Sequence, residues 1–185
     1  MSKEIRNDAK KRMKKSVDSL IHELAKIRTG RANTALLDHL RVDYYGNPTP
    51  INQVASVSVS DARSLAVTPW EKSMIPVIEK AILESELGLN PVTSGDTMRI
   101  PIPALTEERR REMGKLVRAE GEHGKVAIRN IRRDANNHLR DMLKKKELAE
   151  DEEKRALDEI QRLTDHYVEE IEKIVAEKEK EIMEV

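Results

Sequence analysis

The sequence contains no cysteine and no phenylalanine, and it has only one tryptophan and three tyrosines among 185 residues. The lack of cysteine excludes disulfides, a thiolate nucleophile and a cysteine-based zinc site. So few aromatic rings argue against a compact core of ordinary size, which takes much of its volume from them. Seams of Leu, Ile, Val and Ala between long helices need no aromatic volume, so packed long helices are the favoured architecture.

No apolar run approaches the length of about 18 residues that a membrane-spanning helix needs. The first residues, Met-Ser-Lys-Glu-Ile-Arg, lack the pattern of a signal peptide. We therefore expect a cytoplasmic protein that does not associate with membranes.

Proline is confined to one part of the chain, since all seven prolines lie between residues 48 and 103. Because proline interrupts helices, this distribution separates a helical part from an inserted part. We predict a helical domain that is discontinuous in sequence, residues 1–30 and 105–185, with residues 31–104 inserted as a small second domain.

Three segments outside the insert have the apolar spacing of long helices, namely residues 3–28, 106–146 and 147–185. In the first segment the apolar seam alternates steps of four and three and consists of Met13, Val17, Leu20, Leu24 and Ile27, extended by Ile5 and Ala9. A lone helix could not bury such a seam, so the three helices are predicted to form an elongated three-helix bundle.

The insert shows alternating apolar residues at Val42, Val57, Leu65 and Met98, which is typical of short strands. Residues 73–85 have helical spacing instead. The predicted fold is therefore an α+β protein of two domains, a helical bundle with an inserted small β/α/β domain.

Two short connections join the predicted domains. They are Gly30-Arg31 on one side and Pro103-Ala104-Leu105 on the other. A double connection this short limits reach and twist but can still bend, so these residues are predicted to form a hinge.

The net charge of zero conceals a strong segregation of charge. Residues 107–146 hold thirteen Lys or Arg against seven Asp or Glu, whereas residues 147–185 hold six against fifteen. Residues 1–30 are also basic, with nine against four. Part of this segregation can pair basic helices with the acidic one inside a bundle, and basic surface facing away from the core would bind a polyanion.

A basic stripe is predicted along the second long helix. At about 100° per residue, one apolar face contains Met113, Val117, Ala127, Ile131, Ala135, His138 and Met142. A line of cations is expected nearly opposite this face, uninterrupted by carboxylates, and consists of Arg111, Arg118, Lys125, Arg129, Arg132 and Arg140. Such a stripe indicates a nucleic-acid partner, while a merely solvated basic face is the alternative.

No arrangement typical of catalysis is found in the sequence. The five histidines are scattered, no metal-ligand spacing occurs, and glycine-rich phosphate loops and nucleophile motifs are absent. His138 is predicted to be a core histidine. Trp70, Tyr44 and Tyr45 are predicted to anchor the core or turns of the small domain, with base stacking as the alternative. We therefore expect no enzyme, no cofactor and no metal site.

Several motifs resemble those of the bacterial ribosome recycling factor family over essentially the whole chain. The motifs are Lys26-Ile-Arg-Thr-Gly-Arg-Ala32, Tyr44-Tyr-Gly-Asn-Pro-Thr-Pro50, Glu79-Lys-Ala-Ile82, Leu87-Gly-Leu-Asn-Pro91, Leu105-Thr-Glu-Glu-Arg-Arg110 and Val126-Ala-Ile-Arg-Asn-Ile-Arg-Arg-Asp-Ala135. One departure is Ala149, where the family usually has Ser, the better N-cap for the last helix.

The resemblance implies an L-shaped, tRNA-like monomer that binds the post-termination ribosome across the A and P sites of the large subunit. With elongation factor G and GTP it would promote dissociation into subunits and release of mRNA and tRNA, and initiation factor 3 would then keep the subunits apart. It also implies that Arg132, with Arg129 and Arg133 beside it, contacts large-subunit rRNA. Arg28 and Arg31 are weaker candidates for the same contact.

Two other functions remain open at this point. A coiled-coil adapter or chaperone cofactor would use its apolar seams to hold a protein partner and would self-associate. An rRNA-binding assembly factor would bind ribosomal subunits without needing elongation factor G. A hydrolase is the weakest alternative, because no catalytic arrangement is present.

Overall fold

The computed structural model describes residues 2–184. Its helices are α1 Ser2–Ala25, α2 Ile75–Glu84, α3 Glu107–Lys144 and α4 Glu150–Met183. Its strands are β1 Arg41–Tyr44, β2 Asn47–Pro50, β3 Ala55–Asp61, β4 Ser64–Pro69, β5 Val92–Ser94 and β6 Thr97–Pro101. The described chain divides into two compact units, one of residues 2–27 with 108–184 and one of residues 28–107.

The first unit packs α1, α3 and α4 around one apolar core. The seam predicted for α1 is confirmed, since its buried residues are Ala9, Met13, Val17, Leu20 and Leu24, with Ile5 and Ile27 partly buried against them. From α4 the core takes Ile160, Leu163, Tyr167 and Ile171. Each helix buries one side only, so association of all three removes the seams from water.

The buried face of α3 differs from the predicted one, because it also contains Gly121, Ile128 and Leu139 and lacks His138. Ile128 and Leu139 are fully buried, whereas His138 is exposed, so the prediction of a core histidine is wrong. Burying a leucine contributes about 1.5–3 kcal/mol, while a buried imidazole requires hydrogen-bond partners. Leu139 therefore occupies the position next to the core, and His138 faces solvent.

The second unit contains two antiparallel sheets and α2. The larger sheet has the strand order β3-β4-β6-β5, and β1 and β2 form a separate hairpin. The apolar sides of β4, β6 and α2 meet in one core that includes Leu65, Met98 and Ile78. The predicted combination of long helices with a small sheet domain is confirmed.

Two of the aromatic residues predicted to anchor the core or the turns of this unit do not contribute to its core. Trp70 and Tyr45 are 66% and 74% exposed, so neither anchors the core. Tyr44 is half-buried and packs edge-on against Tyr45 at a ring distance of 4.6 Å. Trp70 directly follows the end of β4 at Pro69, and its backbone N–H bonds to the carbonyl of Val54 at 3.2 Å.

Candidate nucleic-acid interface

Two glycines let α3 approach its neighbouring helices closely. A Cβ at Gly121 would lie 2.6 Å from Cγ2 of Val175 in α4. A Cβ at Gly124 would lie 3.3 Å from Cδ1 of Ile171 and 3.5 Å from Cδ2 of Leu20 in α1. These contacts fix the rotation of α3 in the bundle, and that rotation determines which of its cations face solvent.

One group of predicted cations turns towards α4. The Lys125 ammonium lies 3.4 Å from carboxylates of Glu122 and Glu172, and its side chain is only 18% exposed. Arg118 pairs with Glu179 at 3.7 Å. These cations therefore join two helices of opposite charge, as the bundle-pairing alternative expects.

Arg132 also turns towards α4, and it donates a hydrogen bond from Nη1 to Oε1 of Gln161 at 3.4 Å. The residue is half-buried. Its partner is a neutral amide, so its positive charge is not cancelled by an ion pair within residues 2–184.

The predicted stripe therefore needs two corrections. Its centre lies about 90° around α3 from the middle of the buried face, not nearly opposite it. Glu122 lies on the same line and pairs with Lys125, so a carboxylate does interrupt the stripe. The prediction failed because the buried face includes Ile128 and Leu139, which the predicted apolar face does not contain, and excludes His138.

A second group of arginines does face solvent. Arg129, Arg133 and Arg140 are exposed and have no ion-pair partner among residues 2–184. They follow one another at four and seven residues, so they occupy one side of α3 over about 16 Å. We call Arg129, Arg133 and Arg140 the outer arginines.

Asp134 and Asp141 each follow one of the outer arginines in sequence, and the first of them is already neutralised. Asp134 pairs with Arg12 of α1 at 3.1 Å. Arg111, near the start of α3, is exposed and makes contacts of its own. The cationic surface of α3 is therefore concentrated at residues 129–140.

The candidates Arg28 and Arg31 lie in the second unit. Arg28 donates a hydrogen bond from Nη1 to the carbonyl of Leu87 at 3.0 Å, so its guanidinium helps to hold the loop after α2. The Arg31 side chain is exposed, and its backbone N–H bonds to Thr29 Oγ1 at 3.4 Å. These arginines thus belong to a different unit from the outer arginines.

The predicted hinge residues flank two backbone anchors on the turn between β3 and β4. The N–H of Ala32 bonds to the carbonyl of Ala62 at 2.8 Å, and the N–H of Ile102 bonds to that of Arg63 at 2.7 Å. Gly30 has φ +78°, a conformation that side chains disfavour. The two ends of the insert are thus held to the turn between β3 and β4 at Ala32 and at Ile102.

Two tyrosines of the second unit share a polar contact with Glu71. Glu71 accepts hydrogen bonds from the hydroxyls of Tyr44 at 3.0 Å and Tyr45 at 2.9 Å. The Glu71 carboxylate raises the pKa of both phenols above the ordinary value of 10.0, first through these bonds and then through its charge. The phenols thus keep their protons and donate to Glu71.

Residues 2–184 contain no group of three or more histidines and carboxylates arranged to hold a metal ion. No helix in the same range is both long and apolar enough to cross a membrane.

The arrangement of three long helices and a small antiparallel sheet unit is that of solved ribosome recycling factor structures. A solution structure of the ribosome recycling factor matches with a TM-score of 0.75 at 43% identity, covering 100% of this chain and 98% of the other. A second structure contains the T. thermophilus ribosome recycling factor and E. coli elongation factor G bound to the E. coli post-termination complex. It matches with a TM-score of 0.67 at 47% identity over 100% of both chains.

Sequence comparison agrees with the structural one. The family model described as Ribosome recycling factor matches residues 20–183. The ribosome-recycling factor of Thioalkalivibrio sulfidiphilus is 62% identical, and that of Legionella pneumophila (strain Paris) is 58% identical, each over 100% of both chains. This chain belongs to the ribosome recycling factor family.

Proposed function

We propose that this protein binds the post-termination ribosome and, with elongation factor G and GTP, promotes its dissociation into subunits and the release of mRNA and tRNA. The observation that supports this most strongly is family membership over the full length of both this chain and its relatives. The relative seen with elongation factor G on a post-termination complex supports the same partners. Initiation factor 3 would act afterwards by keeping the subunits apart.

The outer arginines, together with Arg132, would contact rRNA of the large subunit. A guanidinium binds a phosphate through two parallel hydrogen bonds, and a straight helix can follow the backbone of an RNA helix. Arg129 and Arg133 are exposed and free of ion pairs among residues 2–184, which supports this role. To bind RNA, Arg132 would have to give up only its hydrogen bond to the neutral amide of Gln161.

The remaining basic candidates would contribute less to RNA binding. Arg118 and Lys125 would first have to leave carboxylates of α4. Arg28 would have to leave the Leu87 carbonyl. Arg31 and Arg111 are exposed, and we assign them peripheral contacts with rRNA.

The protein would act by binding and moving, without making or breaking covalent bonds itself. GTP hydrolysis would take place on elongation factor G. We propose that it works as a monomer in the cytoplasm, where ribosomes are recycled. Sedimentation that gives the mass of one chain would support the monomer, and a dimer would favour the coiled-coil adapter.

We propose that the bundle of residues 1–30 and 105–185 moves against residues 31–104 during subunit splitting. Bending would occur at Gly30-Arg31 and Pro103-Ala104-Leu105. The anchors at Ala32 and Ile102 support this placement, because the backbone beyond each of them is not held to the turn between β3 and β4.

Light scattering by post-termination ribosomes tests the proposed function. Addition of the protein with elongation factor G and GTP is expected to lower the scattering as 70S particles become subunits. Omission of elongation factor G or of GTP should abolish the change. Equal splitting without elongation factor G would contradict the proposal and favour an assembly factor that acts on subunits directly.

A further inference from the structure

Four lysines form a second strongly basic surface, on α1. Lys10, Lys11, Lys14 and Lys15 are all exposed, and none has an ion-pair partner among residues 2–184. At about 100° per residue they cover the outer side of α1, away from the buried Met13 and Val17. We call these four residues the α1 lysines.

Three other cations of α1 and the turn after it are paired. Arg6 lies 3.0 Å from Glu159, and Arg12 lies 3.1 Å from Asp134. Lys26 lies 3.1 Å from Glu23. Arg6 and Arg12 are therefore neutralised by other helices of the bundle, whereas the α1 lysines are not.

The α1 lysines oppose helix formation slightly. Lys10 and Lys14 are four residues apart, as are Lys11 and Lys15, and like charges at this spacing repel each other on a helix. Asp18 is four residues after Lys14, yet the two do not pair within 4.0 Å. Packing within residues 2–184 thus offers no compensation for the repulsion, whereas an external polyanion would.

The α1 lysines and the outer arginines lie on different sides of the bundle. Lys10 and Lys14 line a groove between α1 and α4. Arg132, beside the outer arginines, reaches α4 from α3 instead. A single flat partner surface would not cover both groups, so the α1 lysines require a second contact.

The groove next to the α1 lysines also contains carboxylates. Glu170 and Glu177 of α4 line it, together with Lys173. Glu170 pairs with His166 at 3.3 Å, and Lys173 pairs with Glu169 at 3.6 Å. Lys11 and Lys15 do not line this groove.

We propose that the α1 lysines bind the phosphate backbone of a second RNA segment while the outer arginines hold the first. This inference rests on the proposed function, because it gives an rRNA-binding protein a second RNA-binding face. Lysine suits the contact because its flexible ammonium neutralises phosphates without demanding a fixed geometry. A membrane surface is disfavoured because the apolar side of α1, including Met13 and Val17, is buried in the bundle and cannot enter lipid.

The test uses the full-length protein and a fluorescently labelled 20-base-pair RNA duplex at several salt concentrations. In the test variant, Lys10, Lys11, Lys14 and Lys15 are replaced by Gln. In the control variant, Gln replaces four exposed lysines that do not line the groove, so that the same total charge is lost; they are Lys72, Lys80, Lys154 and Lys180.

The test variant is expected to lose about tenfold or more in affinity at 0.1 M salt, and its salt slope should decrease by about 3, which corresponds to four lost phosphate contacts. The control variant should change much less. Replacement of the α1 lysines by Arg should retain binding and exclude misfolding. Equal losses in the test and control variants, or no loss in either, would overturn the proposal.

Two further arms separate the alternatives. Binding to vesicles with 30% anionic lipid should be weak and unaffected by the test variant, and a larger loss on vesicles than on RNA would overturn the proposal in favour of a membrane. A variant with the outer arginines replaced by Ala is measured in parallel. If only the arginine variant loses affinity for RNA, the second RNA-binding face is overturned and the arginine interface stands. If only the lysine variant loses affinity, the second face is supported and the proposed arginine interface is contradicted.

Discussion

At the scale of single residues, the glycines of α3 differ from one another in their surroundings. A Cβ at Gly121 would meet a methyl group of Val175 at 2.6 Å, whereas a Cβ at Gly114 would meet only Nη2 of Arg118 at 3.9 Å. Glycine lowers the stability of a helix by about 1 kcal/mol relative to Ala wherever it stands. At Gly121 this loss is offset by close packing of α3 on α4.

Substitution of these glycines by Ala should therefore have opposite effects. Gly114→Ala is expected to raise the free energy of unfolding by about 0.5–1 kcal/mol. Gly121→Ala should lower it by about 1–2 kcal/mol, because the branched Val175 has little rotamer freedom to move aside. Urea denaturation measures both changes. A Gly121→Ala variant with a raised free energy of unfolding would show that α3 and α4 can move apart without losing stability.

The contact of Glu71 with two tyrosines gives a prediction about pH. Glu71→Gln removes the negative charge and should shift the pKa of Tyr44 and Tyr45 back towards 10.0. In the wild type, the stabilisation from these bonds is present below pH 10 and is lost as the pH rises through the raised pKa. Absorbance at 295 nm records the titration. Tyr167, whose pKa is raised first by burial, should not change and serves as the control.

At the scale of elements, the apolar seam of α1 could be predicted from its sequence, but the orientation of α3 could not. The seam from Met13 to Leu24 follows from local spacing alone. The direction of Lys125 depends on Glu172 of α4, a residue far along the chain that no local pattern identifies. β5 was missed because Val92–Ser94 is too short, and too exposed, to produce an alternating pattern.

The start of α4 provides a test of helix capping. Ala149 occupies the N-cap position with extended backbone, φ −80° and ψ 157°, and makes no side-chain capping bond. Ala149→Ser would add an acceptor for the free N–H groups of the first turn, and Glu152 could complete a capping box. The expected gain is about 1 kcal/mol in the free energy of unfolding.

Ala119→Ser is the matched control, because Ala119 is exposed in the middle of α3. There the same substitution should lower stability by a few tenths of a kcal/mol, since serine is a poorer helix former than alanine. Thermal unfolding followed by circular dichroism compares the two variants. A loss of stability in both would contradict the assignment of Ala149 as the N-cap.

At the scale of the whole molecule, proline and charge distributions reveal an inserted unit and basic helices, while folding decides which cations remain free. Arg118, Lys125 and Arg129 all belong to the predicted stripe, but only Arg129 is exposed without a partner within residues 2–184. The resemblance of short motifs predicts the family, and the comparisons confirm it. The ion pairs between helices could not be predicted from the sequence.

The proposed hinge can be tested with a reversible disulfide cross-link, because the chain contains no cysteine that could compete with two introduced ones. A Cβ at Gly30 would lie 3.7 Å from Cγ of Leu105, so Gly30→Cys with Leu105→Cys brings two thiols close together. The oxidised variant is expected to bind ribosomes but not to split them, and reduction should restore splitting. Normal splitting by the oxidised protein would contradict a hinge at these residues.

The most direct test of the central claim is binding of variants to isolated large ribosomal subunits as a function of salt. Replacement of Arg129, Arg133 and Arg140 by Ala should weaken binding about tenfold or more and decrease the salt slope by about 2, with helicity and melting temperature unchanged. Replacement of Arg118 and Lys125 by Ala should change binding much less. Unchanged binding by the first variant, or equal losses in both variants, would contradict an RNA interface on the outer arginines.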